Sequence, residues 1–242
     1  MIRVTVWNEY YHETDNDHVR ELYPKGIHGC IADFLGTEDD IVVKTVTMKD
    51  ENFGITEELL DNTDVLIWWS HYMCNALPDE IAKMVQQAVL KGMGAIFLHS
   101  AHTSKPFRML MGTSCNLCWR ADDDKERLWV VDPAHPIVQG IGRYFELPAE
   151  EMYGEPFGIP EPDKLVLSAW FEGGETFRAG CCWRRGDGKV FYFQPGHEWF
   201  PTYYDKNVQT IIKNAVRWAY NDYRAKEFGC KQVDRIEPKR DK

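Results

Sequence analysis

The sequence predicts an α/β protein built on a doubly wound parallel sheet, and three observations carry that prediction. Short β-branched or aromatic runs alternate with amphipathic helical stretches from Ile2 to His102, in the order β, α, β, α, β, α, β. The run Ala95 to Leu98 is apolar throughout, with Gly92 and Gly94 before it and His99, Ser100 and His102 after it; a strand buried on both faces reads this way. Histidines recur just past such strands at His71, His99, His102 and His197. Open parallel sheets hold their ligands outside the carboxyl ends of the strands, so these residues mark one site.

In chain order, Ile2 to Trp7 forms the first strand and delivers Asn8 and Glu9 at its carboxyl end, with His12 and His18 close behind. Tyr23 to Leu35 spaces Ile27, Ile31, Phe34 and Leu35 along one helical face, with Pro24 at its start and His28 in its first turn or so. Ile41 to Val46 is the second strand, and Thr56 with Glu57 and Glu58 caps and opens a short helix. Val65 to Trp69 is the third strand, ending in Ser70, His71 and Tyr72. Pro78 to Val89 is an amphipathic helix closed by Gly92 and Gly94 before the organising strand.

From His102 to Leu165 the alternation fails in sequence rich in Pro, Gly, Asp and Glu, and residues 103–164 are expected to form insertions or a lid over the site. Within them Leu128 to Val131 reads as a strand, and the turn at Asp132 to Pro136 makes His135 structural. LPAEEMYGEPFGIP, residues 147–160, is expected as a loop with Glu151, Tyr153 and Glu155 as substrate contacts. Leu165 to Trp170, Ala179 to Arg184 and Lys189 to Phe193 are strands, the last running into Gln194, Pro195, Gly196, His197 and Glu198. Val208 to Tyr220 is a final amphipathic helix, followed by a charged tail over 224–242. One domain is expected over 1–242, without internal repeats or a transmembrane span.

Composition bounds the function. Hydrophobic residues make up 44% and aromatics 13%, enough for a large core with aromatic walls to spare. The net charge of −10 has the wrong sign for tracking phosphate backbones or anionic lipid, so neither nucleic acid nor membrane is an expected partner. The chain opens on a strand rather than a basic, apolar leader, and its 7 cysteines are odd in number, so reduced thiols and a cytoplasmic location are expected. Cys115 and Cys118 form a CxxC with no second pair, and Cys181 and Cys182 lie in a strand; both pairs read as ordinary thiols.

Three neutral imidazoles on a polar pocket floor would hold a divalent ion such as Zn²⁺ and leave a position open for water or substrate, although no HxH or HExxH spacing accompanies them. Ser100 beside His99 lacks the glycines of GxSxG, and the amidotransferase cysteine is absent there, so covalent catalysis is not expected. Gly92 and Gly94 precede their strand and GxxxxGK[ST] is absent, so no nucleotide cofactor is expected.

WNEYYHE near the start, YPKGIHG, GAIFLHSAH, HPIVQGIG, EMYGEP, WFEGGETFRAGCCWRRGDGKVFYFQPGHE and NAVRWA together resemble the ThuA-like proteins, named for trehalose utilisation, of the class I glutamine amidotransferase-like superfamily. The resemblance spans nearly the whole chain. It implies a flavodoxin-like three-layer α/β/α sandwich with a mostly parallel sheet. It also implies degeneracy: His99 falls where amidotransferases place their cysteine, His197 with Glu198 where their base and acid lie, and His71 after the strand carrying their oxyanion loop. Glutaminase activity is then lost, and a disaccharide or keto-sugar derivative becomes the expected ligand.

The resulting expectation is a carbohydrate-processing protein, a hydrolase, lyase or isomerase, that acts by metal-assisted acid/base chemistry. His71, His99 and His197 hold one divalent metal, zinc foremost, and His99, His197, Glu198 and Glu9 supply the acid/base groups. Asn8, His12, His28, Ser100, His102, Glu151, Tyr153 and Trp199 contact substrate. Trp199 and Tyr203 offer stacking faces for a sugar, whereas Trp68 and Trp69, inside a strand, belong to the core. The alternative is a catalytically inactive protein that binds or senses a sugar. The partner is a small-molecule carbohydrate, and the oligomeric state is open, with a homo-oligomer compatible.

Overall fold

The computed structural model describes residues 1–240, and β1 (Ile2–Asn8), β2 (Ile41–Thr47), β3 (Val65–Trp69) and β4 (Gly94–Leu98) fall within one residue of their expected bounds. The remaining strands are β5 (Cys118–Val130), β6 (Tyr144–Gly154), β7 (Lys164–Phe171), β8 (Thr176–Arg185) and β9 (Gly188–Phe193). All nine form one sheet in the order β2-β1-β3-β4-β9-β8-β7-β5-β6. Pairing is parallel from β2 through β1, β3 and β4 to β9. From β9 onward through β8, β7, β5 and β6 it is antiparallel. The expected mostly parallel sheet is therefore parallel in one half only. β3 and β4 are buried at every position, which is why VLIWW and GAIFL carry no alternation.

The helices are α1 (His12–Asp15), α2 (Asp17–Leu22), α3 (Gly26–Leu35), α4 (Glu57–Asp61), α5 (Asp79–Leu90), α6 (Lys105–Met111) and α7 (Lys206–Ala219). α3 starts three residues later than its apolar spacing suggests, because Gly26 turns the chain at φ 72°. Side-chain caps fix three starts: Asn16 accepts from the Val19 N–H, Thr56 from Leu59, and Asp205 from Asn207 and Val208. α3 and α7 pack on each other and on β1, β2, β4 and β9, while α4, α5 and α6 form a second group.

Residues 103–164 are not the irregular lid expected of them. They supply α6 and the two long strands β5 and β6, and 147–154 belongs to β6 rather than to a loop. β5 reads as polar because only Glu126 and Leu128 along it are buried, and two irregularities, between Arg120 and Asp124 and between Asp124 and Glu126, break its register against β6. β6 is the edge of the sheet and so tolerates Pro148. Cys181 and Cys182 are both buried, since β8 is covered on both faces, and all seven cysteines are free. The tail has no helix or strand over 224–240. Its beginning is tied down, with Arg224 donating to the carbonyls of Thr63 and Leu60 and the Ala225 N–H to that of Lys91. Residues 241 and 242 lie outside the described part.

Candidate active site

β3, β4 and β9 are neighbours, so the residues just beyond their carboxyl ends converge. Ring centroids of His71 and His99 lie 5.6 Å apart, those of His71 and His197 5.1 Å, and those of His99 and His197 5.3 Å. Glu151 of β6 joins them, and one ligand atom from each of the four lies within 4.8 Å of the others. β6 reaches this site although it is last in the pairing order, because buried Glu150 pins it there. The Glu150 carboxylate accepts from the N–H groups of Gly196 and His197, each at 3.0 Å, and from the Thr202 hydroxyl at 2.8 Å.

Backbone geometry aims two of the imidazoles. His99 sits at φ 53°, a left-handed conformation that costs a non-glycine residue energy and turns its side chain abruptly off the strand. Gly196 sits at φ 135°, and a Cβ there would run into the Tyr203 hydroxyl, so glycine is required to bring His197 to the strand end.

Hydrogen bonds assign the tautomers. His99 Nδ1 donates to the Gln194 carbonyl at 3.0 Å, which turns Nε2 toward the site as the atom able to serve as a ligand. His71 Nδ1 donates to Glu198 at 2.8 Å, so Nε2 is the atom its neutral ring would offer as a ligand. His197 differs: its Nδ1 accepts the Trp199 N–H at 3.2 Å, so the neutral ring carries its proton on Nε2. His99 Nε2 lies 3.1 Å from Glu151 Oε2 and 3.3 Å from the Tyr153 hydroxyl, and Glu151 Oε2 is buried with no other close polar partner. At that distance the pair is satisfied either by a proton on His99 or by a cation bound to both atoms. The donor set fits a divalent ion of the zinc type.

Charges are sorted accordingly. Burial pushes His197 down to about 4, helped by the charges of His99 and His71 against those of Glu198 and Glu151. Burial works against the ionised form of Glu198, yet the hydrogen bond and charge of His71, then His197 and His12, hold its carboxyl at about 2. Burial also opposes the charged form of His71, and Glu198 outweighs it, so the His71 pKa is raised. Glu151 is buried too, but His99 foremost, with His197 and His71, keeps its carboxyl below the usual range.

A cavity of about 410 Å³ is lined by two of the four, His71 and Glu151, and by Ser100, His102, Tyr153 and Trp119; His99 and His197 lie outside its lining. Ser100 Oγ and Tyr153 Oη are hydrogen-bonded at 2.5 Å, and the Tyr153 ring lies parallel to that of His99 at 5.0 Å. His102 Nδ1 donates to the Cys115 carbonyl at 2.7 Å, and burial lowers its pKa to about 4, so it presents an acceptor to the cavity.

Several expected site residues have other work. Glu9 accepts the N–H groups of His71, Tyr72 and Met73 at 2.8–3.0 Å, which commits both of its oxygens to holding the loop after β3. Glu198 is shared between His71 and, at 3.3 Å, His12, which stacks on His71 at 5.2 Å and does not line the cavity. Asn8 is buried and bonded to Glu13 and His28, so neither Asn8 nor His28 reaches the cavity. Glu155 pairs with Arg178 at 2.8 Å, away from the cavity lining. Trp199 is exposed, stacks on His18 at 5.1 Å and does not line the cavity; Tyr203 is core, packed against Tyr23. Trp68 and Trp69 are core as expected. Glu150, Thr103, Asn116, Leu117 and Trp119 were not anticipated; the alternation of Phe145 and Leu147 was the available signal for the strand that carries Glu150 and Glu151.

The sequence profile of the ThuA family, described as trehalose utilisation, matches residues 3–219. No curated protein sequence matches the chain. Among solved structures, a ThuA-like protein from Parabacteroides merdae aligns with a TM-score of 0.71 at 14% identity, over 94% of this chain and 92% of that one. A ThuA-like protein from Bacteroides uniformis gives 0.64 at 16% identity, with 92% of each chain covered. A glutamine amidotransferase from Thermotoga maritima gives 0.56 at 8% identity, over 90% of this chain and 97% of that one. At these identities the likeness is one of fold. No helix among the described residues is long and apolar enough to cross a membrane.

Proposed function

The chain belongs to the ThuA family, and from that premise we propose that it is a cytoplasmic enzyme performing metal-assisted acid/base chemistry on a disaccharide or keto-sugar derivative. The observation that carries this reading is the convergence of His71, His99, His197 and Glu151, two of which, His71 and Glu151, open into a cavity of about 410 Å³, within the range of small-molecule sites. The two helix groups are read as the outer layers of an α/β/α sandwich around the parallel half of the sheet.

His71, His99 and Glu151 are the ligands in this proposal, a His₂Glu set with a position left open. A bound divalent ion polarises a carbonyl or lowers the pKa of a water. His197, which adjoins His71 and Glu151 behind the cavity lining, offers its Nε2–H to an oxygen bound beside them, acting as a neutral imidazole that stabilises developing negative charge. Glu198 is a positioning residue: its carboxylate fixes the ring and tautomer of His71. The Ser100 and Tyr153 hydroxyls and His102 orient the sugar from the walls.

The test is to incubate metal-stripped and zinc-reloaded protein with trehalose and its keto derivatives and to follow the sugars by NMR. Turnover by the reloaded protein alone, absent in His99→Ala, is expected. Saccharide binding without turnover under any metal would overturn the enzyme and leave a sugar-binding protein.

A further inference from the structure

We propose that Trp119 forms a distal saccharide subsite, so that the cavity takes a neutral two-ring sugar with the reacting ring over His71 and Glu151 and the second ring against the indole. The inference rests on the carbohydrate reading and narrows it to a substrate of two rings. Of the 9 tryptophans, only Trp119, at 66% exposure, and Trp199, at 46%, are exposed. Trp199 is stacked on His18 outside the cavity, which leaves Trp119 as the one exposed indole in the cavity wall.

Its place follows from register. Trp119 of β5 pairs directly with Tyr153 of β6, and residues opposed across an antiparallel pair share a face of the sheet. Tyr153 in turn lies parallel to His99. His99, Tyr153 and Trp119 thus run in succession from the base of the site to its mouth, with an apolar aromatic surface at the outer end of a polar cavity.

The backbone on either side of Trp119 is tied down by hydrogen bonds. The Cys115 N–H donates to the Gly158 carbonyl at 2.9 Å, and the Gly158 N–H to that of Asn116 at 2.7 Å. The Arg120 guanidinium is held by Glu175 at 2.6 Å, Asp124 at 2.7 Å and Asp122. The flat apolar face of the Trp119 indole suits the C–H face of a sugar, while Asn116 and Thr103 supply hydrogen bonds for the hydroxyls. The lining contains Glu151 and no lysine or arginine, which favours a neutral saccharide over a sugar phosphate.

Isothermal titration of the zinc-loaded protein with trehalose and with methyl α-glucoside, repeated on Trp119→Ala and Trp119→Phe, tests this. Trehalose should bind the parent roughly tenfold more tightly than the one-ring glucoside. The difference should vanish in Trp119→Ala and largely survive in Trp119→Phe, with metal content and melting temperature unchanged. Saccharide binding with no two-ring advantage in the parent, or with an advantage that survives Trp119→Ala, would overturn the subsite and leave the carbohydrate reading standing. Failure of the parent to bind either sugar would overturn both.

Discussion

His99 shows how local strain and local hydrogen bonding combine into a chemical state. A left-handed backbone turns the ring off β4, and the Gln194 carbonyl accepts from its Nδ1, so Nε2 meets the buried oxygen of Glu151. Glu198 does for His71 what Gln194 does for His99, but with a charge. Glu198→Gln should therefore weaken zinc binding by about 10–100-fold in a chelator competition, while the chain still folds. Glu126 carries a different consequence. It is fully buried on β5, neither of its oxygens has a partner, and burial, with Glu150 nearby, raises its pKa well above 4.5. The folded chain keeps this proton while the unfolded chain loses it near the ordinary value. Glu126 therefore costs stability as pH rises through 4.5 and on toward the folded pKa. Glu126→Leu should be about 1–3 kcal/mol more stable than the parent in denaturant titrations near neutral pH. The gain should shrink as the pH falls below 4.5.

Among the elements, legibility follows solvation. β3 and β4 were plain in the sequence because strands covered on both faces become unbroken apolar runs, and the histidines after them mark their tips. β6 was hidden because Glu150 and Glu151 occupy buried positions on it, and two adjacent acids followed by Met152 and Tyr153 read as a loop. Their burial depends on partners far away in sequence: the N–H groups after Gly196 for Glu150, and the histidines for Glu151. The same dependence moved Glu9 from chemistry to loop support. α7 was legible from its apolar stripe, and its start is fixed by the Asp205 carboxylate, which accepts two N–H groups. Asp205→Ala should cost about 1 kcal/mol of unfolding free energy, read from a shift of the denaturation midpoint at constant slope.

At the scale of the molecule, the sheet has two jobs. Its parallel half presents His71, His99 and His197 from three adjacent strand ends, and its antiparallel half swings β5 and β6 round to bring Glu151 to the same point and Trp119 to its rim. The parallel half was readable from alternating elements. The antiparallel half was not, because β5 buries only Glu126 and Leu128 and the closure of β5 and β6 on the site is set by tertiary contacts alone. The central claim is that this closure assembles a metal centre from His71, His99 and Glu151. The most direct test is elemental analysis of protein purified without a histidine tag or added metal, beside the His99→Ala, Glu151→Ala and His197→Ala variants. The account predicts about one divalent ion per chain in the parent, lost from His99→Ala and Glu151→Ala and retained by His197→Ala. A metal-free parent that also fails to take up zinc from a buffered solution would contradict it.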